Sequence, residues 1–220
     1  MVSYGHSWID GDGASTPGAR LSARVASGLG LELDNRGVGG SSSTGTAGLV
    51  RADPPPPAAL YLLMTGLNDL RLAGDSASGL ADYADSLRAV LGAFREAAPE
   101  ALVVAVAQPP LVDFSLYAPH NLGSNTLVAT YNAALRQAVA THPLAVLAEA
   151  RDWDAATMLD EDTVHPNDAG HACLARAVVR VVTAAWQCPG RPSSGAPHRG
   201  RARSPGSSIR PSRWPLHPWR

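Results

Sequence analysis

Four short blocks of this 220-residue chain carry the side chains that acyl-transfer chemistry requires. They read Tyr4-Gly5-His6-Ser7-Trp8, then Asn35-Arg36-Gly37-Val38-Gly39-Gly40, then Thr65-Gly66-Leu67-Asn68-Asp69, and finally Asp162-Thr163-Val164-His165-Pro166. Attack on an acyl carbon needs a nucleophile, a base to take its proton, a group that fixes the tautomer of the base, and donors for the developing oxyanion. Ser7 offers the hydroxyl, with Gly5 before it allowing a sharp turn of the chain. His165 can serve as the base and Asp162, three residues earlier, can hold its imidazole. The side-chain amide of Asn68 and the backbone N–H groups of Ser7 and Gly40 supply the oxyanion donors. At Gly40 the missing side chain leaves room for close approach.

These blocks must be brought together by the elements around them. Short apolar runs at residues 2–4, 31–33, 58–64, 102–107 and 144–148 alternate with longer amphipathic stretches. That alternation predicts an α/β chain of about five parallel strands joined by crossover helices. Most of the runs are continuously apolar, as strands covered on both faces must be. Leu21, Val25 and Leu29 recur at helical spacing, as do Leu80, Leu87, Leu91 and Phe94, then Leu127, Tyr131 and Leu135, then Leu174, Val178, Val181 and Ala185. In an open parallel sheet ligands bind beyond the carboxyl ends of the strands, and the four blocks follow the first, second, third and last runs.

The residues Ser7, Gly40, Asn68 and His165, in that order, resemble the signature of the SGNH or GDSL-type hydrolases. The third block matches as Gly66-Leu67-Asn68-Asp69 and the fourth as Asp162 through Pro166. The resemblance spans residues 1 to about 186. It implies a three-layer, flavodoxin-like α/β/α fold and serine-dependent cleavage of esters or thioesters, with a small-molecule ester as substrate and no metal or other cofactor. Two departures stand out. The first block reads Gly-His-Ser where the family usually has Gly-Asp-Ser, which puts the support of the nucleophile turn in question. Only three residues precede Tyr4, so the first strand is expected to be unusually short.

Other features of the sequence compete with this reading. A literal Gly74-Asp75-Ser76 follows the Asn68 block instead of preceding it and has no apolar strand leading into it, so Asp75 or Ser76 reads as a helix N-cap. Asp162, His165, Asp168 and His171 repeat every third residue, as a metal site could. Pro166 keeps His165 out of helical backbone, with Asn167 or Asp168 capping the helix that holds His171 as a surface or packing residue. Neither a third glycine for a dinucleotide fingerprint nor a phosphate-binding Gly-Lys-Ser/Thr loop is present. A noncatalytic carbohydrate- or acyl-group-binding domain stays open as the rival from another class.

Composition bounds the rest. The chain is 45% hydrophobic and 17% charged, enough to build one core. Its longest apolar runs are seven residues, far short of the roughly 20 needed to span a bilayer. Residues 1–186 hold 11 Arg against all 19 acidic residues, a net of −8 that disfavours nucleic acid as a partner. Residues 187–220 hold 7 Arg and no acid and are rich in Pro, Gly and Ser, the composition of a disordered tail. One hydrolase domain over residues 1–186 followed by that tail is the expected organisation. The amino terminus has no basic segment followed by an apolar stretch, so a cytoplasmic location is expected by default, unless the true start lies upstream.

Overall fold

Successive residues of a strand point to opposite faces of its sheet, so a strand that is apolar throughout must feed two cores. The computed structural model, which describes residues 1–187, shows this arrangement. In chain order the elements are β1 (Val2–Gly5), α1 (Ser7–Asp10), a 3-10 turn (Pro17–Ala19), α2 (Leu21–Leu29), β2 (Asp34–Gly37), α3 (Ser43–Ala52) and β3 (Leu60–Met64). They continue with α4 (Leu67–Ala73), α5 (Ala77–Ala97), β4 (Leu102–Val106), α6 (Asn125–Ala140), β5 (Ala145–Ala148), α7 (Ala155–Met158) and α8 (Asp168–Gln187). Tyr61 and Leu63 of β3, with Val103 and Ala105 of β4, enter a core covered by α3, α5 and α6. Leu60, Leu62, Met64, Leu102, Val104 and Val106 enter the opposite core, covered by α1, α2 and α8. The result is a three-layer α/β/α fold around one five-stranded sheet.

All strand pairs are parallel and the spatial order is β2-β1-β3-β4-β5. The chain moves outward from β1 to β2 and then returns to the other side of β1. That reversal opens a crevice at the carboxyl ends of β1 and β3, the place where open α/β sheets bind ligands. Although β1 has only four residues, all are buried and each pairs with β2 on one side and β3 on the other.

Two expectations are corrected. The second strand is Asp34–Gly37, and residues 31–33 are the exit from α2. Gly30 takes the left-handed conformation, and its N–H and that of Leu31 bond back to carbonyls of the last helical turn. Such a C-cap ends the helix and consumes the residues after it. Nor does the fourth block directly follow the last strand, because α7 intervenes between β5 and Asp162. Ser76 caps α5, its Oγ accepting the Gly79 N–H at 3.3 Å, so Gly74-Asp75-Ser76 is a helix start. The basic tail predicted beyond Gln187 lies outside the described residues. Among the described residues no helix is long and apolar enough to cross a membrane.

Candidate active site

The turn after β1 is built on contacts that only its own residues permit. Gly5 has φ +147°, and a Cβ there would lie 1.9 Å from the Met64 carbonyl oxygen at the end of β3. His6 then donates its backbone N–H to that same carbonyl at 3.2 Å and caps α1, its Nδ1 accepting the Trp8 N–H at 3.3 Å. The imidazole thus provides the local support that the Gly-His-Ser sequence put in question. Burial drives the His6 pKa down to about 3, with the nearby His165 and Arg71 acting in the same direction and Gln108 opposing them. His6 is therefore neutral and engaged in the turn.

Ser7 begins α1 and is 5% exposed. Its Oγ lies 3.0 Å from His165 Nε2, and His165 Nδ1 lies 2.5 Å from Asp162 Oδ2. Oδ1 of Asp162 accepts the backbone N–H groups of Val164 at 2.9 Å and His165 at 2.8 Å. Burial works against the ionised carboxylate, but these N–H groups and the imidazole hold Asp162 below the ordinary carboxylate pKa. Hydroxyl, imidazole and carboxylate from opposite ends of the domain form one line.

That line is held by bonds between the two termini. Trp8 donates its indole N–H to the Val164 carbonyl at 3.1 Å, immediately before His165, and its ring stacks on Trp153. Gly13 passes so close to the same loop that a Cβ would sit 2.3 Å from the Pro166 carbonyl oxygen. Within the loop, Asp160 donates its N–H to the His165 carbonyl at 2.7 Å, and Thr163 occupies the left-handed region at φ +61°. A β-branched residue is rarely found there, and the surrounding bonds impose it.

The third block arrives from β3. Gly66, at φ +114°, turns the chain into α4 beneath the Tyr83 ring, which a Cβ would approach to 2.8 Å. Asn68 follows in the first turn and donates one amide hydrogen to the Ser41 carbonyl at 2.9 Å, leaving the other free. Asp69 accepts the backbone N–H of Ser43 at 2.8 Å and its hydroxyl at 2.5 Å, which ties α4 to the start of α3 and fixes the loop containing Gly40. Among the described residues the N–H groups of Ser7 and Gly40 donate to no protein acceptor. Ser7, Gly40, Asn68, Asp162 and His165 all line one cleft of about 260 Å³. A larger hollow of about 660 Å³ beside α3 and α5 contains no such hydroxyl–imidazole pair.

The every-third-residue acids and histidines do not converge. Asp168 accepts the N–H and O–H of Ser15 at 2.9 and 2.6 Å. His171 is fully buried as a packing residue, accepting the Leu21 N–H on Nδ1 and reaching the Asp12 carbonyl through Nε2. Among the described residues no group of three or more His, Cys, Asp or Glu side chains could hold a metal ion. Sequence reasoning did not single out Asp12, Arg71, Tyr117 or His120, which also line the cleft, the last two from the loop 113–125 expected to shape the acyl pocket. Arg71 follows Asn68 at helical spacing and could have been found that way; the loop residues carried no signal.

A family model describing GDSL-like lipases and acylhydrolases matches residues 3–173. The chain belongs to this family. Membership carries hydrolysis of the esterase or lipase type in general. Solved structures share the fold at low identity. A Lactobacillus plantarum protein is 21% identical with a TM-score of 0.66, over 84% of this chain and 96% of that one. A lipolytic protein of the G-D-S-L family from Veillonella parvula is 18% identical with a TM-score of 0.61, over 83% and 97%. A carbohydrate esterase family 2 enzyme with a carbohydrate-binding domain, from Corynascus thermopiles, is 15% identical with a TM-score of 0.64 over 84% of this chain and 65% of its own. A search of curated proteins finds no match.

Proposed function

We propose that this GDSL-family chain hydrolyses carboxylic esters of compact acids through an acyl-Ser7 intermediate. His165 Nε2 takes the Ser7 proton as Oγ attacks the acyl carbon, and Asp162 keeps Nδ1 protonated and stabilises the imidazolium. The oxyanion is met by the Asn68 amide and the Ser7 and Gly40 N–H groups. The tetrahedral intermediate collapses, and the alcohol leaves with the proton from Nε2. Water, deprotonated by the same nitrogen, then attacks the acyl carbon, and the acid leaves Ser7 as its oxygen is reprotonated. The carrying observation is the 3.0 Å approach of Ser7 Oγ to His165 Nε2 in a line that ends on Asp162. A cleft of about 260 Å³ suits short acyl groups, including the O-acetyl groups of carbohydrates and short thioesters.

A fluorophosphonate probe tests this directly. Ser7 should be labelled, and Ser7→Ala should lose label and several orders of magnitude in kcat on 4-nitrophenyl acetate, whereas Asn68→Ala should lose about 10² to 10³. A chain that stays unlabelled and inactive on esters from acetate to palmitate would be a noncatalytic binding domain. Activity lost to a chelator and restored by zinc would support metal chemistry.

A further inference from the structure

Arg71 lies one helical turn beyond Asn68 on α4, so the two share a face, and both line the cleft with Ser7 and His165. The residue is only 5% exposed, yet among the described residues it takes part in no ion pair. Its Nε is buried without a hydrogen-bond partner, and one terminal nitrogen reaches the Leu116 carbonyl only at 3.5 Å. A guanidinium presents five donors and keeps its charge, and holding it away from water without an anion is costly. Asp162 is near enough to attract the charge, but among the described residues no acid forms an ion pair or hydrogen bond with it. Both oxygens of Asp162 are committed to Val164 and His165, and those of Asp69 to Ser43. Asp12, the other acid of the cleft, lies 3.8 Å from His165 Nε2.

The geometry points to a substrate that brings the missing anion. Arg71 binds a carboxylate or phosphate carried by the ester, because it lines the same cleft as Ser7 and His165. This assignment rests on ester hydrolysis at the same site and names its substrate class. Planar bidentate recognition of either anion is what a guanidinium does best.

Matched ester pairs test it on the full chain. 4-Nitrophenyl hydrogen adipate against 4-nitrophenyl hexanoate places the charge on the acyl side. 4-Acetoxybenzoate against its methyl ester places a carboxylate on the alcohol side, and 4-acetoxyphenyl phosphate against 4-methoxyphenyl acetate places a phosphate there. At least one anionic member should exceed its neutral partner by about tenfold or more in kcat/KM, chiefly through KM, and Arg71→Met should bring that ratio close to one. The preferred pair identifies the anion and its side. Ratios near one in the unmodified chain overturn the assignment, as do equal losses on both members of each pair in Arg71→Met, which would make Arg71 a structural or oxyanion-binding group. If no ester is turned over, the hydrolase reading fails separately, and calorimetric titration with adipate, benzoate and inorganic phosphate decides. Binding lost in Arg71→Met upholds the anion site, and no binding to any of the three rejects it.

Discussion

His6 is sealed from water one residue before Ser7, and its Nδ1 can accept the Trp8 N–H only while that nitrogen is unprotonated. In the unfolded chain the imidazole takes a proton near its ordinary pKa of 6.5, whereas in the fold burial delays this to about 3. Between those values the unfolded state binds the extra proton. Stability attributable to this residue is therefore complete above pH 6.5 and declines as pH falls towards 3, by about 1 kcal/mol per pH unit. His6→Asn keeps a side-chain acceptor at the N-cap and removes the titration. Urea unfolding between pH 6.5 and 4.5 should show a shallower decline in this variant than in the unmodified chain, and parallel profiles would contradict the account. Some decline remains in the variant, because burial also lowers the pKa of His171. That Ser7, His165 and Asp162 meet was legible in residue type and order together with the family resemblance. The role of His6 was not, since the residue type does not reveal which way the ring nitrogens point.

At the scale of elements, the line from Ser7 through His165 to Asp162 depends on α1 meeting the loop before α8, and the Trp8 indole bond spans that junction. Trp8→Phe preserves an aromatic ring against Trp153 but removes the donor to the Val164 carbonyl. A buried carbonyl left without a partner costs about 1–3 kcal/mol. Because that carbonyl immediately precedes His165, kcat should fall about tenfold with little change in KM, and fluorophosphonate labelling of Ser7 should slow in proportion. A lowered Tm with unchanged kcat and labelling would assign the bond to stability alone. The strands behind this geometry were unequally legible. β3 and β4 are apolar on both faces because helices cover both, so hydropathy finds them. β2 is an edge strand whose needs are met by polar bonds: Asn35 binds Ser3 and the Ile9 carbonyl, and Arg36 pairs with Asp34 and Asp53. Gly37 has no side chain at all because the backbone of Asp10 passes where a Cβ would lie, 2.4 Å away. Such a strand leaves no apolar run, and the leucines just before it draw the prediction onto the helix exit. α3 escaped notice for a related reason. Its sequence, STGTAGLVRA, has few large apolar residues, and its start is fixed by Ser42 and by Asp69 from another element.

At the scale of the whole molecule, one face of the sheet is fully covered only when α8 is complete, which separates the physical domain from the stretch that the family model matches. That match ends at Cys173, early in α8, whereas Leu174, Val178 and Val182 beyond it are all fully buried in the core on the α2 side. Burial of each such side chain contributes about 1.5–3 kcal/mol, and three together rival the 5–15 kcal/mol that typically holds a domain folded. A chain ending at Cys173 should therefore fail to fold, even though it retains Ser7, Asn68, Asp162 and His165. A chain ending at Gln187 keeps every strand and helix found among the described residues, so its Tm and kcat/KM should match those of the full chain. Thermal unfolding followed by circular dichroism, with 4-nitrophenyl acetate turnover, distinguishes the cases. Cooperative folding of the shorter chain would show that α8 is dispensable and that β4 and β5 need no cover on that face. A large loss in the longer one would give residues 188–220 a part in the fold or the site, and their seven arginines against the net −8 of residues 1–186 would supply the attraction.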